Sequence, residues 1–136
     1  MAEPLVGILV GSESDRERMQ PAFTELDARG ITWEFEVRSA HRNPDAVSEY
    51  ARAAAGRGIR VLICGAGLAA ALPGVVAAQT ELPVIGVPLR SSMSVLDGLD
   101  ALLSIVQMPP GVPVATVGVD NAKNAAALAA RIIALL

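Results

Sequence analysis

Only 18% of the 136 residues carry charge while 52% are hydrophobic and 3% aromatic, so a core of Ala, Val, Leu and Ile lies under a surface with few charges to cover it. This length fits one domain (residues 1–136), and a lone domain of that composition would leave too much apolar area in water, which predicts a homo-oligomer. A net charge of -3 with 11 scattered Lys and Arg excludes the basic face of a nucleic-acid binder, and the single cysteine, Cys64, excludes an internal disulfide or a thiolate metal cluster.

In chain order, Leu5 to Val10 is an apolar run of strand length. Gly11-Ser12-Glu13-Ser14-Asp15 follows, then a helical pattern with Met19, Ala22, Phe23 and Leu26 on one face, ending at Gly30. Ile31, Trp33, Phe35 and Val37 alternate with Thr32, Glu34 and Glu36 as a second strand, and the two glutamates mark it as a sheet edge. After Ser39-Ala40-His41-Arg42-Asn43, Pro44 opens a helix reaching about Gly56 with Val47, Tyr50, Ala51 and Ala54 inward. Arg60 to Cys64 is the third strand, Gly65-Ala66-Gly67 is expected to turn the chain, and a short helix broken at Pro73 runs to about Gln79. Pro83 to Val87 is the fourth strand, with a loop to about Leu96 and a helix through Ile105; Val112 to Val119 contains the fifth strand. The last helix, Asn121 to Leu136, is apolar nearly all round, so one face is expected against another subunit.

Val61 to Thr80 is uncharged and long enough to resemble a membrane span, but Gly65, Gly67, Pro73 and Gly74 interrupt it, and two soluble elements are expected instead. Met1-Ala2-Glu3-Pro4 has no basic region leading into an apolar stretch, so no signal peptide, no membrane partner and a cytoplasmic location are expected. Strands that are apolar throughout and separated by helices predict a parallel sheet buried on both faces, a three-layer α/β sandwich of flavodoxin-like order. Ligands bind such sheets at the carboxyl ends of the strands.

The loops after strands one, two and three meet at that edge. His41 is the only histidine and the only side chain with an ordinary pKa near neutrality, so it is the candidate acid/base; the alternative is an imidazole that merely caps or packs. Ser39 and Arg42 beside it supply a hydroxyl and a planar five-donor cation suited to phosphate or carboxylate. In the first loop, Ser12, Ser14 and free amides at a helix start suit an anion, and Asp15 can accept two bonds from vicinal sugar hydroxyls, though Ser14 or Asp15 could equally be a simple helix cap. Gly65-Ala66-Gly67 permits close approach of a planar ligand. Neither a dinucleotide fingerprint nor a Walker loop occurs, and one His with one Cys gives no metal set. Cys64, closing an apolar run, is read as a small buried residue.

Together these segments resemble the 5-(carboxyamino)imidazole ribonucleotide mutase family. The resemblance rests on Gly11 to Asp15, Ser39 to Arg42 with Pro44-Asp45, Gly65 to Gly67, Leu72-Pro73-Gly74, Pro83 to Pro88, Gly98 to Pro109 and Asn121 to Ala125, in one order from about Leu5 to Leu135. It implies a carboxylate shift from the exocyclic amine of a ribonucleotide to carbon 4 of its imidazole, through carbon dioxide release and recapture, without metal, ATP or organic cofactor. It also implies a homo-octamer. Carried over, His41 would shuttle one proton, Ser12 and the Gly65, Ala66, Gly67 turn would hold the migrating carboxylate, Asp15 the ribose, and Ser14, Ser39 and Arg42 the phosphate, with Ala40 between them.

The chain departs from the family pattern Gly-Ala-Gly-Gly-Ala-Ala-His-Leu-Pro-Gly at Leu68, in place of the third glycine, and Ala71, in place of the histidine. If that histidine only orders the loop, Leu72 and Pro73 can hold the turn without it. If it contacts substrate, the chain acts on something else. Ala70 to Ala77 is also similar to a related domain that carboxylates a pyridinium dinucleotide, so a diverged carboxylase or decarboxylase of another heterocycle is the second reading. A non-catalytic nucleotide-binding oligomer is the third, though a pure scaffold needs none of Ser12, Asp15, His41 and Arg42.

Overall fold

The computed structural model describes residues 3–136, in which strands and helices alternate: β1 (Val6–Val10), α1 (Arg16–Ala28), β2 (Trp33–Val37), α2 (Pro44–Ala54), β3 (Val61–Gly67), α3 (Leu72–Ala77), β4 (Val84–Leu89), α4 (Leu99–Val106), β5 (Ala115–Thr116) and α5 (Ala122–Ile133). Short 3-10 turns at Glu13–Asp15 and Ala55–Arg57 flank α1 and α2. All strand pairs are parallel, in the order β2-β1-β3-β4-β5, the flavodoxin-like order that the sequence predicts.

Alternation along the strands divides the core into two layers. Ile8, Val10, Ile63 and Val87 pack with Met19, Phe23 and Leu26 of α1 and with the alanine face of α5, whereas Leu9, Leu62 and Cys64 pack with Val47 and Tyr50 of α2 and with Ile105 of α4. Ala122, Ala125, Ala126 and Ala129 are fully buried, so the alanine face of α5 closes inward on its own chain, and small side chains there let α5 lie close to α1. Exposed apolar side chains include Met93, Val95 and Leu96 before α4, Leu99, Leu103 and Val106 along it, and Leu135 and Leu136 after α5.

β2 is the half-buried edge strand. Trp33 stacks on Phe23 with ring centroids 4.4 Å apart and Phe35 meets the same ring edge-on, which covers one side of the strand. On the other side Glu34 accepts the Tyr50 hydroxyl at 2.5 Å and two Arg57 nitrogens at 2.6 and 2.8 Å. The Arg57 guanidinium holds the Glu34 carboxyl below its usual range, and burial pushes the Tyr50 hydroxyl up.

Three local features differ from the sequence expectation. Gly65 to Gly67 continue β3 and do not turn the chain; a Cβ on Gly65 would stand 2.7 Å from Met19 Sδ and one on Gly67 3.2 Å from the Leu89 carbonyl, so glycine is used here for close approach inside a strand. The turn falls one residue later, at Leu68, whose φ of 55° lies in the left-handed region. Pro73 sits in the first turn of α3, where a missing N–H costs nothing, and starts that helix instead of breaking it. No described helix is long and apolar enough to cross a membrane.

Candidate active site

Register builds the site. Val10 pairs with Val37 on one side and Gly65 on the other, so β1 and β2 end level, β3 runs two residues further to Gly67, and the three following loops stand side by side at the carboxyl edge.

In the first loop Ser12 is the cap. Its Oγ accepts the Ser14 amide at 3.3 Å and lies 2.9 Å from the Ser14 Oγ, while the Ser12 carbonyl accepts the Asp15 amide. Asp15, although it directly precedes α1, makes no side-chain capping bond, which leaves its carboxylate uncommitted at the helix start. Burial pushes that carboxyl above its usual range, with Arg18 pulling it partly back. In the second loop Ser39 Oγ accepts the Arg42 amide at 3.2 Å, the Ser39 carbonyl accepts the Asn43 amide at 2.9 Å, and Asn43 Oδ1 caps α2 through the Ala46 amide. This closed turn leaves His41 and Arg42 exposed, and among the described residues Arg42 has no ion-pair partner. A Cβ on Gly11 would reach Ser39 Cα at 3.8 Å, so the first two loops touch across that glycine.

These loops line an open-mouthed cavity of about 190 Å³ with His41, Arg42, Ser39 and Ala40 from the second loop, Ser12 and Asp15 from the first, and Ala66 and Gly67 from the end of β3. Its volume is below the roughly 300–1,000 Å³ of common small-molecule pockets and suits a heterocycle, with the exposed imidazole and guanidinium available to the rest of a larger ligand. Two residues singled out from the sequence stand off this wall: Ser14, whose hydroxyl meets Ser12, and Gly65, which lies beneath it against Met19 and Leu89. Gly11 and Ala69 to Leu72 complete the wall; of these the sequence singles out Ala71, at the position of the family histidine, and gives no site role to Gly11, Ala69 or Ala70, because the turn after β3 falls one residue later than its glycines suggest. Ala71 lines the cavity, and buried Leu72 and Pro73 secure the helix that follows it. A larger groove of about 960 Å³, beside Arg52, Glu81, Pro83 and Val112, opens near the start of β4, away from these loops.

Cys64 is fully buried and its thiol is pushed up by that burial, so it is packing. Among the described residues no three His, Cys, Asp or Glu side chains converge on a possible metal position.

A family model described as AIR carboxylase matches residues 5–136. The chain belongs to the AIR carboxylase family. An N5-carboxyaminoimidazole ribonucleotide mutase of Pyrococcus horikoshii is 56% identical over 133 residues, covering 98% of this chain and 74% of that protein. A phosphoribosylaminoimidazole carboxylase of Saccharomyces cerevisiae is 55% identical over 98% of this chain but only 23% of its own length. The crystal structure of Treponema denticola PurE superposes with a TM-score of 0.85 at 34% identity, covering 97% of this chain and 81% of that one. Within the AIR carboxylase family, then, this chain matches over its full sheet, loops included.

Proposed function

We infer that this chain is an N5-carboxyaminoimidazole ribonucleotide mutase of purine biosynthesis, an isomerase that moves a carboxylate from the exocyclic amine to carbon 4 of the imidazole ring. The observation that carries the residue assignments is the opening of His41, the only imidazole, onto the same cavity as Gly67, Asp15 and Arg42. The N–C bond to the carboxylate breaks as protonated His41 gives its proton to the amine nitrogen, releasing carbon dioxide inside the cavity. Carbon 4 then attacks that carbon dioxide, and His41 takes the proton that carbon 4 loses, so one imidazole restores itself each cycle. Retention of carbon dioxide beside the nucleophilic carbon supplies the proximity that makes recapture faster than escape.

Ser12, Ala66 and Gly67 hold the carboxylate, with Gly65 supporting them from below; Asp15 accepts the ribose hydroxyls; Ser39 and Arg42, with Ser14 behind Ser12, hold the phosphate. The reaction draws on no metal, nucleotide triphosphate or organic cofactor. The protein acts as a cytoplasmic homo-octamer of single-domain subunits. Leu99, Leu103 and Val106 support the assembly, since they repeat along one exposed side of α4 and continue the apolar loop before it.

The test follows absorbance of 4-carboxy-5-aminoimidazole ribonucleotide in the ultraviolet, without ATP or metal, for the parent and a His41→Asn variant. Reversible conversion by the parent that disappears in the variant is expected. A folded, oligomeric parent with no turnover would overturn the mutase reading, and Ala71 in the wall would then point to another carboxylated heterocycle.

A further inference from the structure

Three non-glycine residues in the described chain have left-handed backbone, Leu68, Asp97 and Asp120, with φ of 55°, 51° and 58°. All lie in the loops after β3, β4 and β5, on the edge that carries the cavity. That conformation is disfavoured for most side chains and least so for Asp and Asn, and strain of this kind persists where surrounding structure holds it.

Asp120 is held from both sides. β5 pairs with β4 only as far as Gly86 and Thr116, after which the Val117 amide still reaches the Gly86 carbonyl at 3.2 Å. Beyond that rung the Asp120 amide donates to the Pro88 carbonyl at 2.8 Å, and Asp120 Oδ1 accepts the Arg90 amide at 3.0 Å. A carboxylate thus does the work of a strand carbonyl where the strand has ended. Its Oδ2 accepts Arg18 Nη1 of α1 at 3.0 Å and lies 3.7 Å from Arg90 Nη1, while Arg90 Nε also meets Asp97 at 3.2 Å. One side chain therefore fastens the exit of β4 to α1 and to the loop before α5.

The segment it fastens abuts the cavity wall. Leu89 is paired with Gly67, and the atoms nearest a Cβ placed on Gly67 are the Leu89 carbonyl oxygen at 3.2 Å and Ser91 Cβ at 3.8 Å, the two residues on either side of the anchored Arg90 amide. Gly67 lines the cavity and Asp120 does not.

We propose that Asp120 is a positioning residue for the carboxyl-transfer site, acting through the Arg90 amide to hold Leu89 and Ser91 against Gly67. This rests on the mutase reading above, in which Gly67 holds the migrating carboxylate. Loss of the anchor loosens that end of the cavity while Asp15, Ser39 and Arg42 keep their places, and it frees Arg18, which already acts on Asp15 through its charge, so the main effect falls on the chemical step and not on substrate affinity.

The experiment measures kcat and KM for the purified parent, Asp120→Gly and Asp120→Asn, with melting temperature and oligomer mass for each. Glycine accepts the left-handed backbone while removing the carboxylate, and asparagine accepts it while keeping an oxygen for the Arg90 amide. About a tenfold fall in kcat with KM within twofold for Asp120→Gly, and recovery to within about threefold of the parent for Asp120→Asn, is the expected result. Unchanged kcat in an Asp120→Gly protein, even one that melts lower, overturns the proposal, as does a rise in KM alone or an Asp120→Asn variant as slow as Asp120→Gly. Should Asp120→Gly not fold, the decision passes to Asp120→Asn: kcat within about threefold, with the Arg90 amide still protected from hydrogen exchange, is the supporting result, and retained kcat with that protection lost is the overturning one. An inactive parent refutes the mutase reading itself and is distinct from all of these.

Discussion

Replacing Gly67 with alanine adds one methyl between the end of β3 and the end of β4. Its Cβ would stand 3.2 Å from the Leu89 carbonyl oxygen, where ordinary contact begins at 3.4 Å, and the neighbour is backbone, so the strands must part by a few tenths of an ångström. Overpacking of this size lies at the low end of the 1–3 kcal/mol range, about 1 kcal/mol, or roughly a 4 °C fall in melting temperature for a chain of this length. A misplacement of about 1 Å can cost 10²-fold in rate, so a shift of about 0.3 Å, scaled logarithmically, costs about fourfold in kcat. Because the methyl points at Leu89 and Ser91, KM should stay within about twofold. Initial rates in the ultraviolet assay and a thermal melt measure both quantities. Unchanged kcat with a lowered melting temperature would refute the link between the Gly67–Leu89 spacing and the reaction. A loss beyond about 100-fold at unchanged melting temperature would mean that the methyl occupies space that the substrate needs.

Because burial raises the Asp15 carboxyl above its ordinary 3.8, this group favours the native state only while protonated: the contribution is complete below about pH 3.8 and is lost as pH rises through the folded value. Asp15→Asn should therefore gain stability over the parent at pH 7 and not at pH 3, while losing activity; urea titrations showing the same difference at both pH values would contradict this. Leu103→Asp puts a carboxylate in the middle of the exposed α4 stripe, so light scattering should show a smaller assembly with the subunit still folded, and an unchanged mass would place the interface elsewhere.

Much of the fold is legible from local pattern. The apolar runs of β1, β3 and β4 announce strands buried on two faces, and the alternation at Trp33 to Val37 announces the edge, because each strand's surroundings depend on its own few residues. Gly65 to Gly67 look like a turn in the sequence and are strand in the structure, because the reason for glycine is the approach of Met19 and Leu89, from α1 and β4, which spacing along the chain does not encode. Leu68 explains its own oddity: the family pattern has glycine where the backbone turns left-handed, and here a leucine accepts that geometry. The candidate site was readable because β1, β2 and β3 each feed one loop to it. The Ser12 cap, in contrast, appears only once the 3-10 turn is seen, and the Asp120 to Arg90 anchor joins positions 30 residues apart.

Trp33 is the only tryptophan, stacked on Phe23 with its indole N–H donating to Asp27 at 2.8 Å. The tryptophan emission of this protein therefore comes from one chromophore at the seam between β2 and α1. A tryptophan-emission trace of its unfolding times the departure of that edge strand, and parallel far-ultraviolet dichroism is what connects the optical signal to the rest of the sheet.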